Sequence, residues 1–208
     1  MSESDEKQRI VDVASQRFFE QGISKVTLDE LASDLGMSKK TMYKFFPSKD
    51  DLLKTIVYSM MATISGRVEK IVSSPNPFAD KASDLMELIG RQLGTISKQF
   101  MIDLQRFSPA LWNEVEEFRR ERILTNFRRI FEQGKEEGAF RKDLDVELFM
   151  MVFLSSVQGI VNPRVLAQQA FSTEQALHGI FKIIFEGAMT EDARLRIRMV
   201  PTSATTLS

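Results

Sequence analysis

A chain of 208 residues, 43% hydrophobic and with 16 Phe, is long enough to bury a substantial core in one large or two small domains, which excludes disorder as its ground state. A formal net charge of -1 and a pI near 6.0 exclude a surface that is basic throughout, so any contact with nucleic acid must come from a local patch. The absence of cysteine excludes disulfides, thiolate metal sites and cysteine nucleophiles, and the opening MSESDEKQR lacks the apolar core of a signal peptide, so a cytoplasmic protein is expected.

Ile10, Val13, Ala14, Arg17, Phe18 and Gln21 share one side of a helix expected from about Lys7 to Gln21, with Gly22 following where a left-handed cap would fall. Thr27-Leu28-Asp29-Glu30 fits a capping box, and Val26 with Leu31 fits the accompanying hydrophobic staple. The second helix buries Leu28, Leu31, Ala32 and Leu35 and stops at Gly36, whose missing Cβ permits a tight turn. Ser38 caps a third helix from Lys39 to Phe45, which turns Met42 and Phe46 inward and leaves Lys39, Lys40, Tyr43 and Lys44 outside before Pro47 ends it. No acid lies between Ser38 and Lys49, so Lys39, Lys40, Lys44 and Lys49 form an uninterrupted basic patch. Exposed lysines alone describe an ordinary solvated face. Two short capped helices about a glycine turn describe a helix-turn-helix, whose second helix, about 12 Å long, matches the width of a DNA major groove.

Ser48-Lys49-Asp50-Asp51 caps a fourth helix through Leu52, Leu53, Ile56, Val57, Met60 and Ile64 towards Val72, expected to join the DNA-binding part to the rest and transmit its tilt. Ser73-Ser74-Pro75-Asn76-Pro77 breaks it. Leu85, Ile89, Leu93, Ile96, Phe100, Leu104 and Phe107 then recur at helical steps, and Pro109 opens a long amphipathic helix through Trp112, Val115, Phe118, Ile123, Phe127, Ile130 and Phe131 to Gly138. The apolar helix from Val146 to Ala167 is to be kinked or ended by Pro163; its Leu148–Val161 run, interrupted by Ser155, Ser156, Gln158 and Gly159, is too short to span a membrane. Ser172-Thr173-Glu174-Gln175 is a further capping box, followed by Leu177, Phe181, Ile184, Phe185 and Ala188.

The fold class expected is all-α. Residues 1–50 are read as a three-helix DNA-binding domain, 51–190 as a larger helical domain, and 191–208 as a flexible tail. The apolar surface of Phe149, Met150, Phe153, Val157, Phe181, Ile184 and Phe185 fits an intramolecular core and a partner subunit equally well.

Ala14, Phe18, Gly22, Thr27, Leu31, Ala32, Gly36, Met37, Ser38, Thr41, Tyr43, Phe46, Lys49 and Leu52-Leu53 stand in the order and spacing of a known DNA-binding domain. By these residues the chain resembles the tetracycline-repressor (TetR) family of bacterial transcription regulators over roughly residues 8 to 55. Lys40 and Phe45 depart from its usual pattern. The N-terminus of the third helix suits phosphate oxygens, with Ser38 and Thr41 as short hydroxyl donors. The resemblance implies that Thr27 and Lys49 hold phosphates of double-stranded operator DNA, that Lys39, Lys40, Thr41 and Lys44 face the groove, and that Tyr43 meets backbone or a thymine methyl. It implies a homodimer through a four-helix bundle, with Phe149, Phe153, Val157, Phe181, Ile184 and Phe185 at the interface and two recognition helices about 34 to 36 Å apart. It also implies an apolar effector pocket among Gln92, Gln99, Phe100, Leu104, Phe107, Trp112, Asn126 and Phe127, with a small molecule releasing a repressor from its operator.

The competing readings are an all-helical enzyme, a non-regulatory ligand-binding protein, and a nonspecific architectural DNA binder, the last at odds with the acidic pI. The only histidine, His178, lies four residues after Glu174 without a second such pair, and no zinc-protease motif or glycine-rich phosphate loop occurs. No catalytic residue, metal or cofactor, and no membrane contact, is expected.

Overall fold

The computed structural model describes residues 2–196, and among these it contains eleven helices and no strand. They are α1 (Glu3–Gln21), α2 (Leu28–Asp34), α3 (Lys39–Phe45), α4 (Lys49–Val72), α5 (Phe78–Gly94), α6 (Lys98–Phe107), α7 (Pro109–Glu136), α8 (Val146–Ile160), α9 (Pro163–Leu166), α10 (Thr173–Ala188) and α11 (Glu191–Arg196).

Three boundaries differ from the expected ones, each for a local reason. The first helix begins about a turn early because Ser2 accepts from Asp5 N while the Asp5 carboxylate takes Ser2 N at 2.9 Å, a capping box upstream of the apolar spacing. The apolar recurrence from Leu85 to Phe107 is split at Ser97, whose hydroxyl accepts from Phe100 N at 3.2 Å and starts α6 afresh. The apolar helix from Val146 ends at Ile160, and Asn162 caps the short α9, which has Pro163 at its first position. Residues 191–196 of the expected tail are helical; the remainder, 197–208, lies outside the described residues.

The chain forms two compact units: residues up to 64 with 95–115, and 65–94 with the described residues from 116 onward. In the first, Phe18, Leu31, Met42 and Phe46 are fully buried, each contributing about 1.5–3 kcal/mol relative to exposure. Arg17 pairs with Asp34, and Arg9 donates to Leu35 O at 3.4 Å, stitching α1 to the end of α2. The start of α6 docks on the end of α1: Ser97 N donates to Phe19 O at 2.8 Å, and the Phe19 and Phe100 rings meet edge-on at 4.9 Å.

The second unit is built around an aromatic cluster. Phe131 stacks on Phe140 at 4.4 Å and Phe181 on Phe185 at 3.9 Å, while Phe127 contacts Phe131, Phe149, Phe153 and Phe185. Gly134 makes room for it: a Cβ there would lie 2.7 Å from both Phe78 and Phe140. The buried Lys81 donates to Val72 O at 2.8 Å and to Gln133 Oε1 at 2.7 Å, satisfying a carbonyl at the end of α4. No helix among the described residues is long and apolar enough to cross a membrane.

Candidate nucleic-acid interface

The recognition surface is assembled by local chemistry. Thr27 Oγ1 accepts from Glu30 N at 3.2 Å, and Glu30 Oε2 takes Thr27 N at 2.8 Å and its hydroxyl at 2.9 Å. Those hydrogen bonds hold the Glu30 carboxyl below its usual range. Val26 and Leu31 are fully buried, as the staple requires. Gly36 turns with φ 65°, and Met37 N donates back to Ala32 O at 2.9 Å. Ser38 Oγ then accepts from Thr41 N at 3.0 Å and lies 2.8 Å from the Thr41 hydroxyl. With Met42 and Phe46 buried, α3 is fixed in rotation about its axis, and Lys39, Lys40, Tyr43 and Lys44 are left exposed on its outer side.

The four lysines are not equivalent. Lys39 Nζ lies 2.5 Å from Asp29 Oδ2, and that hydrogen bond and charge hold its ammonium above the ordinary range. Lys44 Nζ lies 2.9 Å from Glu3 Oε1 and 5.8 Å from the Phe45 ring centre. Lys40 is exposed, with no ion pair among the described residues. Lys49 is half-buried 5.8 Å from the Phe18 ring centre; burial pulls its ammonium below the usual range against the opposing charges of Asp103 and Glu30. Thr27 and Lys49, the two phosphate ligands implied by resemblance, therefore already have partners in the chain.

One constellation escapes sequence reading. Asp103 on α6 is buried and accepts from Ser24 N at 2.7 Å, from Gln99 Nε2 at 2.6 Å and from the backbone of Ile23. Burial pushes its carboxyl up, but these hydrogen bonds outweigh it and the net direction is down. It anchors the segment between α1 and α2, and so the approach to the Thr27 cap. The only sign in the sequence is an acid between Phe100 and Leu104, where the helical spacing calls for an apolar residue.

The other predicted residues are dispersed. Gln99, Phe100, Leu104, Phe107 and Trp112 belong to the first unit, and Gln92, Asn126 and Phe127 to the second. Phe100, Leu104, Trp112 and Asn126 are buried, Phe127 sits in the aromatic cluster, and Phe107 is 54% exposed with the Arg106 guanidinium 5.3 Å from its centre. Of the residues expected at a subunit interface, Phe149, Val157, Phe181 and Phe185 are buried within the subunit, while Phe153 and Ile184 pack partly buried against the same cluster. The exposed apolar side chains of α8 and α10 are instead Leu148, Met151, Val152 and Ile183.

A family model described as bacterial regulatory proteins, tetR family, matches residues 10–56, the span from α1 to the first turns of α4. The uncharacterised HTH-type transcriptional regulator YvaF of Bacillus subtilis (strain 168) is 20% identical over 168 residues, covering 80% of this chain and 87% of its own. The HTH-type transcriptional repressor KstR2 of Rhodococcus jostii (strain RHA1) is 27% identical over 157 residues, covering 70% and 72%. The crystal structure of a transcriptional regulator from Cytophaga hutchinsonii ATCC 33406 superposes with a TM-score of 0.67 at 20% identity, over 88% of this chain and 98% of that one, which establishes the common fold. These relatives are transcription regulators and not enzymes. The matched residues are those that build the capped α2–α3 pair and the Gly36 turn, and over residues 10–56 the chain is similar to the DNA-binding segment of the tetR family of bacterial regulatory proteins.

Proposed function

We propose that this DNA-binding regulator is a homodimeric repressor that reads operator DNA with α3 and leaves it when a small molecule binds residues of the 51–190 region. The observation that carries the reading is the outer side of α3, where Lys39, Lys40, Tyr43 and Lys44 are exposed together on a helix whose rotation the buried Met42 and Phe46 fix. KstR2 and DhaR, relatives named as repressors, support the direction of control.

For the dimer, the supporting surface is the row Leu148, Met151, Val152 with Ser155 and Gly159 on α8, whose three- and four-residue steps form one helical face, together with the exposed Ile183 on α10, a helix packed against α8. For the effector, Asn126 is a buried polar residue, the kind of group that orients a ligand in an apolar site. An effector need only favour the dimer geometry that fits DNA poorly, and its differential affinity then sets the loss of operator binding.

Tyr43→Ala and Lys44→Ala are each expected to weaken binding to an operator duplex by roughly tenfold. Mobility-shift titration checks the affinity, and sedimentation checks that both variants remain dimers. Unchanged affinity in both would move the DNA face away from α3.

A further inference from the structure

Lys39 and Lys44 stand near opposite ends of α3, and each is met by a carboxylate from another helix of the same unit. Lys44 Nζ is 2.9 Å from Glu3 Oε1 at the first residue of α1, and Lys39 Nζ is 2.5 Å from Asp29 Oδ2 in the first turn of α2. Helix N-termini favour acids, so both carboxylates are placed without strain. Exposed ion pairs of this kind add little to folding. Asp29 is tied more closely, because its Oδ1 is shielded from solvent with no hydrogen-bond partner and Lys39 is left to compensate the group. A DNA phosphate approaching either lysine meets a charge already neutralised and a carboxylate that repels it.

We propose that Glu3 and Asp29 are internal counterions of the recognition helix, weakening the protein's affinity for duplex DNA of any sequence so that stable binding depends on contacts beyond Lys39 and Lys44. This rests on the DNA-binding reading of α3. With the carboxylate in place, a lysine counts for less among the charges set against phosphates; with it removed, the lysine counts in full. A chain with a net charge of -1 that still uses a basic helix gains from such control, since its lysines would otherwise bind any duplex they met.

The test uses the full chain and a short duplex of random sequence, with affinity measured across a range of salt concentrations. Glu3→Gln is expected to raise affinity about threefold at low salt and to steepen the logarithmic salt slope by about one. The gain disappears when Lys44 is already Ala, so Glu3→Gln with Lys44→Ala matches Lys44→Ala alone. Asp29→Asn acts likewise through Lys39. Glu20→Gln makes the same change in net charge about 25 Å along α1 from Glu3 and leaves affinity nearly unchanged. The proposal is overturned if Glu3→Gln leaves affinity and slope as they were, if the gain survives in the Lys44→Ala background, or if Glu20→Gln reproduces it. A wild-type chain that binds no duplex at all would overturn the DNA-binding reading beneath it.

Discussion

Gly22→Ala is expected to destabilise the protein by about 2–5 kcal/mol and to weaken DNA binding with it. Gly22 has φ 89° and ψ 163°, a combination open almost solely to glycine, so any side chain strains the backbone at this point. The space is closed as well. A Cβ would stand 2.6 Å from Gln99 Cγ and 3.0 Å from Asp103 Oδ2, pushing α6 away from the end of α1. That movement would also stretch the hydrogen bonds from Ser24 N to Asp103 and from Ser97 N to Phe19 O, leaving the buried carboxylate short of donors. Urea denaturation of the variant measures the loss. Adding Gln99→Ala removes the nearest obstacle and should restore part of it, the remainder being backbone strain. A loss below about 1 kcal/mol would contradict the docking of α6 on α1.

Met151→Glu together with Ile183→Glu is expected to convert the dimer into monomers and reduce operator affinity by orders of magnitude. Met151 is 66% exposed and Ile183 77% exposed in the subunit, so neither substitution disturbs the subunit's own core. On the proposed dimer face each would bury a carboxylate without a partner, at a cost of several kcal/mol per site, and two-fold symmetry applies that cost twice. Once separated, a subunit grips one half-site and loses the effective concentration that the second half-site receives in the dimer. Sedimentation velocity gives the oligomeric state, and denaturation confirms that the subunit still folds. A variant that remains a dimer would remove this face from the interface.

Much of the DNA-binding region is legible in the sequence because its determinants act over three or four residues. Thr27 with Glu30, Ser38 with Thr41 and the turn at Gly36 need no distant partner, and the structure holds each in the expected geometry. Contacts that cross the chain are not legible in that way. Nothing in the spacing joins Glu3 to Lys44, or Ser24 to Asp103, although these pairs set the charge of α3 and the position of the segment leading to it. The break before α6 is masked because Ile96 and Phe100 continue the apolar spacing across Ser97. On α8 the difficulty is different: Phe149 and Val157 lie on one apolar face, Leu148, Met151 and Val152 on another. A sequence apolar on several sides does not state which side its own subunit covers. The larger aromatic side chains fill the subunit core, and the aliphatic ones remain outside.

Selection of fragmented genomic DNA by the purified full chain tests the central claim most directly. The account predicts strong enrichment of a few fragments sharing a pseudo-palindrome whose half-sites lie about one helical turn or a small multiple apart, with Tyr43→Ala and Lys44→Ala losing that enrichment. Recovered fragments no different from the input would contradict it.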